Sequence, residues 1–169
     1  MAKFTTTLLC ATALIAVAGC AKKRPPELPP TPSETGPGGG DMGSSDSEAG
    51  PLNAQFKRAV MSDTVHFALD EYDIDPEART ILDSQAEWLA RNPNVRITIE
   101  GHCDERGTRE YNLALGDRRA NSAKNYLAAR GVSASRMTTI SYGSERPVAQ
   151  GSDDAAWAEN RRAVTIVLN

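Results

Sequence analysis

Aromatic residues are scarce in this chain, at 5% of 169 residues, so any core it forms must be mainly aliphatic. An excess of positive charge is also missing. The net charge of -3 argues against a nucleic-acid binder, which normally carries a basic patch. There are only two histidines and three cysteines. A structural zinc site needs about four ligands, and no zinc-binding spacing, nucleophile–base pair or pair of catalytic carboxylates stands out. No internal repeat is present, and the length suits one domain with tails.

Long apolar runs are absent except near the start. Lys3 precedes "LLCATALIAVAG", residues 8–19, which is apolar or small throughout. A stable membrane-spanning helix needs about 20 apolar residues, so this run reads as a cleavable export signal. The sequence that follows, "VAGC", resembles the bacterial lipobox. That resemblance implies cleavage after Gly19, diacylglycerol on the Cys20 sulfur and acylation of the new amino terminus. Two or more acyl chains anchor stably where one is marginal. Ala21 rather than aspartate follows the cysteine, which favours the outer membrane over inner-membrane retention. Cys10 leaves with the signal, so Cys103 stands alone and has no disulfide to make.

Residues 20–55 form the expected tether. The stretch 21–51 holds seven of the ten prolines and six of the thirteen glycines, and its only large apolar side chains are Leu28 and Met42. Such a segment cannot bury enough surface to offset chain entropy. Fully extended it would reach roughly 100 Å, although its mean span would be about 30 Å. The basic "KKR" next to the lipid suits anionic headgroups.

Residues 56–169 turn globular. "DTVHFAL" alternates, with Val65, Phe67 and Leu69 on one face of a first strand. Asp75 as cap, Pro76 at the first turn and Asn92-Pro93 as a stop frame a helix, whose stripe is apolar except for Gln85. "VRITIEG" is a second strand, and residues 108–130 form a helix closed by Gly131. "MTTISYG", "DDAAWAEN" and "RRAVTIVLN" add a strand, a short helix and a terminal strand. The expected fold is an α/β (α+β) sandwich, a small mixed four-stranded sheet with helices packed on it.

Chemistry concentrates in "EGHCDERGTREYNLALGDRRA", residues 100–120, which spans a strand end, a loop and a helix. His102, Cys103 and Asp104 invite a metal or nucleophile reading, but adjacent residues of an extended segment diverge. On the helix, Asn112, Leu115 and Arg119 share a face. This face suits the lip of a pocket better than a core. Arg119 can present a planar fork to a carboxylate and Asp104 can accept from an ammonium, with Asp70 and Tyr72 near enough to join them. On this reading loss of Arg119 removes binding and spares the fold. Composition alone favours a solvated rim or an internal salt bridge over recognition of such a zwitterion.

Four stretches bear on that choice: "TVHFALDEYDI", "NPNVRITIEGHCDERGTREYNLALGDRRANSAKNYL", "GVSASRMTTISYGSERPV" and "AAWAENRRAV". Together they resemble the OmpA-like peptidoglycan-binding domains and, more narrowly, the lipoproteins of the Tol-Pal system. The resemblance runs from about residue 56 to the end. It implies non-covalent binding of the peptidoglycan stem peptide at meso-diaminopimelate, held by Asp104 and Arg119. Asn112 and Leu115 would line the pocket, and Asp70 and Tyr72 would add contacts. It implies no catalysis and no cofactor. The expected partners are peptidoglycan, TolB with other Tol proteins, and the outer membrane through the lipid, with the domain in the periplasm. An OmpA-like wall anchor outside the Tol system and a wall-processing enzyme are the alternatives. Asn160 and Arg161 match a family signature that does not separate structure from binding. Cys103 departs from the pattern, where a small alanine or threonine is usual.

Overall fold

The computed structural model describes residues 50–168, so the export signal, Cys20 and nearly all of the expected tether lie outside the described residues. The elements run α1 (Pro51–Ala59), β1 (Thr64–His66), α2 (Pro76–Arg91), β2 (Arg96–His102), α3 (Arg109–Ala129), β3 (Met137–Gly143), α4 (Asp154–Asn160) and β4 (Arg162–Leu168). They build one mixed sheet in the order β1-β4-β2-β3. β4 runs antiparallel to both β1 and β2, whereas β3 is parallel to β2. This is the small mixed four-stranded sheet with packed helices expected from the sequence.

Local signals explain most element ends. The Asp75 carboxylate accepts from the Ala78 N–H at 2.7 Å, capping α2 behind Pro76. Thr108 does the same for α3 through the Tyr111 N–H at 3.2 Å. Gln85, the polar intruder in the α2 stripe, is buried but satisfied. Its amide donates to Ser62 O at 2.8 Å and accepts from the Thr165 hydroxyl at 2.9 Å.

Two boundaries differ from the sequence reading. Helix α1 begins at Pro51, inside the stretch read as tether, because distant partners hold it. Phe56 packs edge-on against Trp88, ring centres 5.1 Å apart, and the Asn53 side-chain oxygen accepts from the Val167 N–H at 2.8 Å. Strand β1 is shorter than the alternation suggests. It pairs with β4 only as far as His66, and the Phe67 backbone N–H then donates to Arg161 O at 2.9 Å. Phe67 stays buried, but Leu69 is 58% exposed rather than inward.

The core lies between α2, α3 and one face of the sheet, around Leu82, Leu89, Ile97, Ile99, Ala123, Leu127 and Val167. α3 meets β2 backbone to backbone. A Cβ on Gly101 would lie 1.8 Å from Gly116 O, and one on Gly116 would lie 2.3 Å from the Ser141 hydroxyl. Only glycines allow this approach, and it sets the height at which the first half of α3 crosses the strand ends. Gly116→Ala should therefore destabilise the fold by roughly 3 kcal/mol in denaturant titration, the cost of overpacking against backbone. An unchanged midpoint would show that α3 can shift freely. Asn53→Ala should cost about 1–3 kcal/mol, because it orphans a buried N–H. No change in that variant would show that the Asn53 bond contributes nothing to the domain.

Candidate functional site

The end of β2 carries a register shift between Gly101 and His102. Such an irregularity re-aims the residues that follow it, and the Cys103 N–H then donates to Gly143 O at 2.8 Å. His102 stacks on Tyr142 beside Glu100, and burial pushes its imidazole pKa below the ordinary value. Cys103 and Asp104 turn instead into a cavity of about 350 Å³. The chain reaches the Thr108 cap through Gly107, whose φ of 94° is the left-handed region glycine enters freely.

The cavity is lined by Leu69, Asp70, Cys103, Asp104 and Arg106 on one side of the sequence, and by Gly107, Tyr111, Asn112, Leu115 and Arg119 on the other. Five of the six residues expected from the sequence therefore meet: Asp70, Asp104, Asn112, Leu115 and Arg119. Tyr72 does not line the cavity. It is 43% exposed, with the Arg118 guanidinium 5.8 Å from its ring centre.

Arg119 is the largest fully buried side chain. Its Nε donates to Glu71 O at 2.8 Å, Nη1 to His102 O at 2.9 Å and Nη2 to Ala68 O at 3.1 Å. Three of its five N–H donors bind carbonyls, and the group also interacts with the Cys103 side chain. The open fork expected from the sequence is thus largely engaged with the chain itself. Burial lowers its pKa, with the Asp104 and Asp70 carboxylates opposing that shift. Loss of Arg119 would strip donors from the β1–α2 loop and from the end of β2, so the fold is not expected to be spared.

Asp104 is buried and tightly held. Its Oδ1 accepts from the Arg106 backbone N–H and Nε, both at 3.1 Å, and its Oδ2 accepts from Arg106 Nη2 at 2.6 Å. Arg161 Nη1 lies 3.5 Å from the same oxygen. Burial alone would raise the Asp104 pKa, but these bonds from Arg106, with its charge and Arg161, bring it below the ordinary value. The Asn112 amide donates to Arg106 O at 3.0 Å and lies within 3.3 Å of Asp104 O, so it shapes the loop from behind. Asp70 holds a φ of 60°, tolerable for aspartate, and its carboxylate accepts from the Tyr111 hydroxyl.

The two signature residues at the junction of α4 and β4 now separate. The Asn160 oxygen accepts from the Val148 and Ala149 N–H groups at 2.8 and 3.1 Å, and its amide donates to Ala149 O at 2.9 Å. That is a loop clamp. Arg161 donates to Phe67 O at 2.9 Å and approaches Asp104, so it touches the cavity wall. The Cys103 thiol donates to Asn112 O at 3.3 Å, and burial raises its pKa.

Arg106, Gly107, Tyr111 and Leu69 were missed by the sequence reading. Arg106 and Gly107 sit in the quoted loop, but nothing local showed which way they turn. Leu69 was assigned to the core by alternation.

Known proteins bear on the same stretch of chain. The OmpA family matches residues 66–161, which contain every residue lining the cavity. A peptidoglycan-associated lipoprotein of Agrobacterium fabrum is 46% identical over 160 residues, 95% of this chain and 86% of that protein. One of Brucella melitensis is 49% identical over 153 residues, 90% of this chain and 86% of that protein. The crystal structure of the peptidoglycan-associated lipoprotein from Burkholderia pseudomallei superposes with a TM-score of 0.61 at 42% identity. It covers 63% of this chain and 90% of that one. With its sheet order, its cavity at the β2–α3 junction and these relatives, the chain belongs to the OmpA family, within the group formed by the peptidoglycan-associated lipoproteins.

Proposed function

We propose that this protein is an outer-membrane lipoprotein whose domain grips peptidoglycan non-covalently. The acyl chains on Cys20 hold the membrane, the Pro/Gly-rich segment spans the gap, and the domain in the periplasm holds the wall. The ligand is the stem peptide, taken at the side-chain end of meso-diaminopimelate, where an ammonium and a carboxylate share one carbon.

One observation carries this reading: the cavity has two carboxylates, Asp70 and Asp104, and two guanidiniums, Arg106 and Arg119, in its wall, with Leu69 and Leu115 between them. A site for an ion of one sign would be lined by the other sign. A balanced lining suits a zwitterion. Asp104 takes the ammonium, and Arg119 faces the carboxylate with its charge. Leu115 packs against the aliphatic stem, and Asn112 holds the loop in shape. Asp70, fixed by Tyr111, adds negative charge at the mouth, and Tyr72 acts outside the cavity, as an exposed ring beside it.

Within a Tol-Pal system the same surface would also meet TolB, which competes with the wall and allows the lipoprotein to be gathered at the division site. Kinship with the peptidoglycan-associated lipoproteins supports this part of the reading. An OmpA-like anchor acting outside the Tol system would keep the wall contact and lose TolB.

Asp104→Asn should weaken co-sedimentation of the full chain, in detergent, with diaminopimelate-type peptidoglycan by about tenfold to a hundredfold, the loss of a charge-assisted contact. Lysine-type peptidoglycan, which has no side-chain carboxylate, should bind poorly to the unaltered chain. Equal binding of both walls, or full binding by Asp104→Asn, contradicts the pocket assignment. Cys20→Ser should abolish palmitate labelling and move the chain to the soluble periplasmic fraction. Persistent labelling would place the lipid elsewhere.

A further inference from the structure

In the free protein the Asp104 carboxylate is already occupied. Arg106 stands two residues further along the same loop and covers both oxygens, with Nε at 3.1 Å from Oδ1 and Nη2 at 2.6 Å from Oδ2. The guanidinium lines the cavity, so it fills the position an incoming ammonium would take. The two partners are unequal. The Asp104 side chain is 7% exposed and the Arg106 side chain 37%. Asp104 is also fixed from behind by Arg161, which is itself bonded to Phe67 O. Arg106 is the partner that faces solvent.

Arg106 also has a second place to rest. Its guanidinium lies over the Trp157 ring, 4.0 Å from the centre, and Trp157 Nε1 donates to Glu105 Oε1 at 3.1 Å. Glu105 and Asp154 both act on Arg106 as attractive charges. A guanidinium displaced from Asp104 therefore keeps an aromatic face and two nearby carboxylates.

We propose that Arg106 is a built-in surrogate for the ligand's ammonium, a latch that closes on Asp104 in the free protein and releases it, staying against Trp157 and Glu105, when a zwitterion enters. The inference rests on the reading of the cavity as the diaminopimelate site. Binding is then an exchange of ion partners at Asp104. A lone amine gains little, because it replaces one cation with another at the same carboxylate. A zwitterion adds a carboxylate contact at Arg119 that Arg106 cannot supply. The latch thus lowers affinity for every cation and leaves a net gain mainly for a ligand bearing both charges.

The test is calorimetric titration of the full chain, in detergent, with the tripeptide L-alanyl-γ-D-glutamyl-meso-diaminopimelate. Arg106→Gln should bind about threefold to tenfold more tightly than the unaltered chain, because the competing ion pair is gone. Cadaverine, an amine without the carboxylate, should gain by a similar factor, because it displaces the same ion pair. Arg106→Lys, which keeps charge without the fork, should give a smaller gain. In the unaltered chain the Arg106 Nε–H resonance should move on tripeptide addition. If Arg106→Gln weakens binding or leaves it unchanged while the unaltered chain still binds, the latch is wrong and the pocket reading stands. Failure of every variant and of the unaltered chain to bind the tripeptide overturns both. An unshifted Arg106 resonance at saturation also rejects the latch.

Discussion

The buried guanidinium of Arg119 joins three parts of the chain at one point. It reaches from α3 to the carbonyls of Ala68 and Glu71, beyond β1, and to that of His102 at the end of β2. A cation in this position is costly to desolvate, and burial lowers its pKa accordingly. Three carbonyl dipoles, with Asp104 and Asp70 nearby, offset that cost and keep it charged. The cavity walls are thus set by the same side chain that supplies the cavity's positive charge. The close meeting of Gly101 with Gly116 fixes where on β2 the helix delivers it.

Around that constraint, the remaining polar groups divide into those that shape and those that face the opening. Asn112 and Asn160 are buried amides whose bonds go to backbone, so they hold loops in place. Asp70, Asp104 and Arg106 present charge to the cavity. Arg161 belongs to both groups, tying the α4–β4 junction to Phe67 while steadying Asp104. A site preorganised in this way loses little side-chain entropy when a ligand enters.

How far the sequence revealed this depends on the range of each interaction. α2 and α3 were legible, because Asp75, Pro76, Thr108 and Gly131 are local signals that act within one turn of the helix. β2, β3 and β4 followed from alternation. α1 was not legible, since Phe56 and Asn53 find their partners at Trp88 and Val167. Leu69 was misplaced because alternation cannot show where a strand leaves its sheet. Arg119 was singled out from helix spacing and both Arg119 and Asp104 from their chemistry, but their role as the ligand-holding pair came from the family resemblance. The engagement of each was hidden, because Arg106 closing on Asp104, and backbone carbonyls closing on Arg119, depend on how loops turn.

The central claim is that a zwitterion sits between Asp104 and Arg119. A crystal structure of the domain with the diaminopimelate tripeptide bound tests it most directly. The account predicts the ammonium within hydrogen-bond distance of the Asp104 carboxylate, the side-chain carboxylate against Arg119, and the stem on Leu115. A tripeptide seated elsewhere on the domain, or one bound in the cavity with its ammonium away from Asp104, would contradict it.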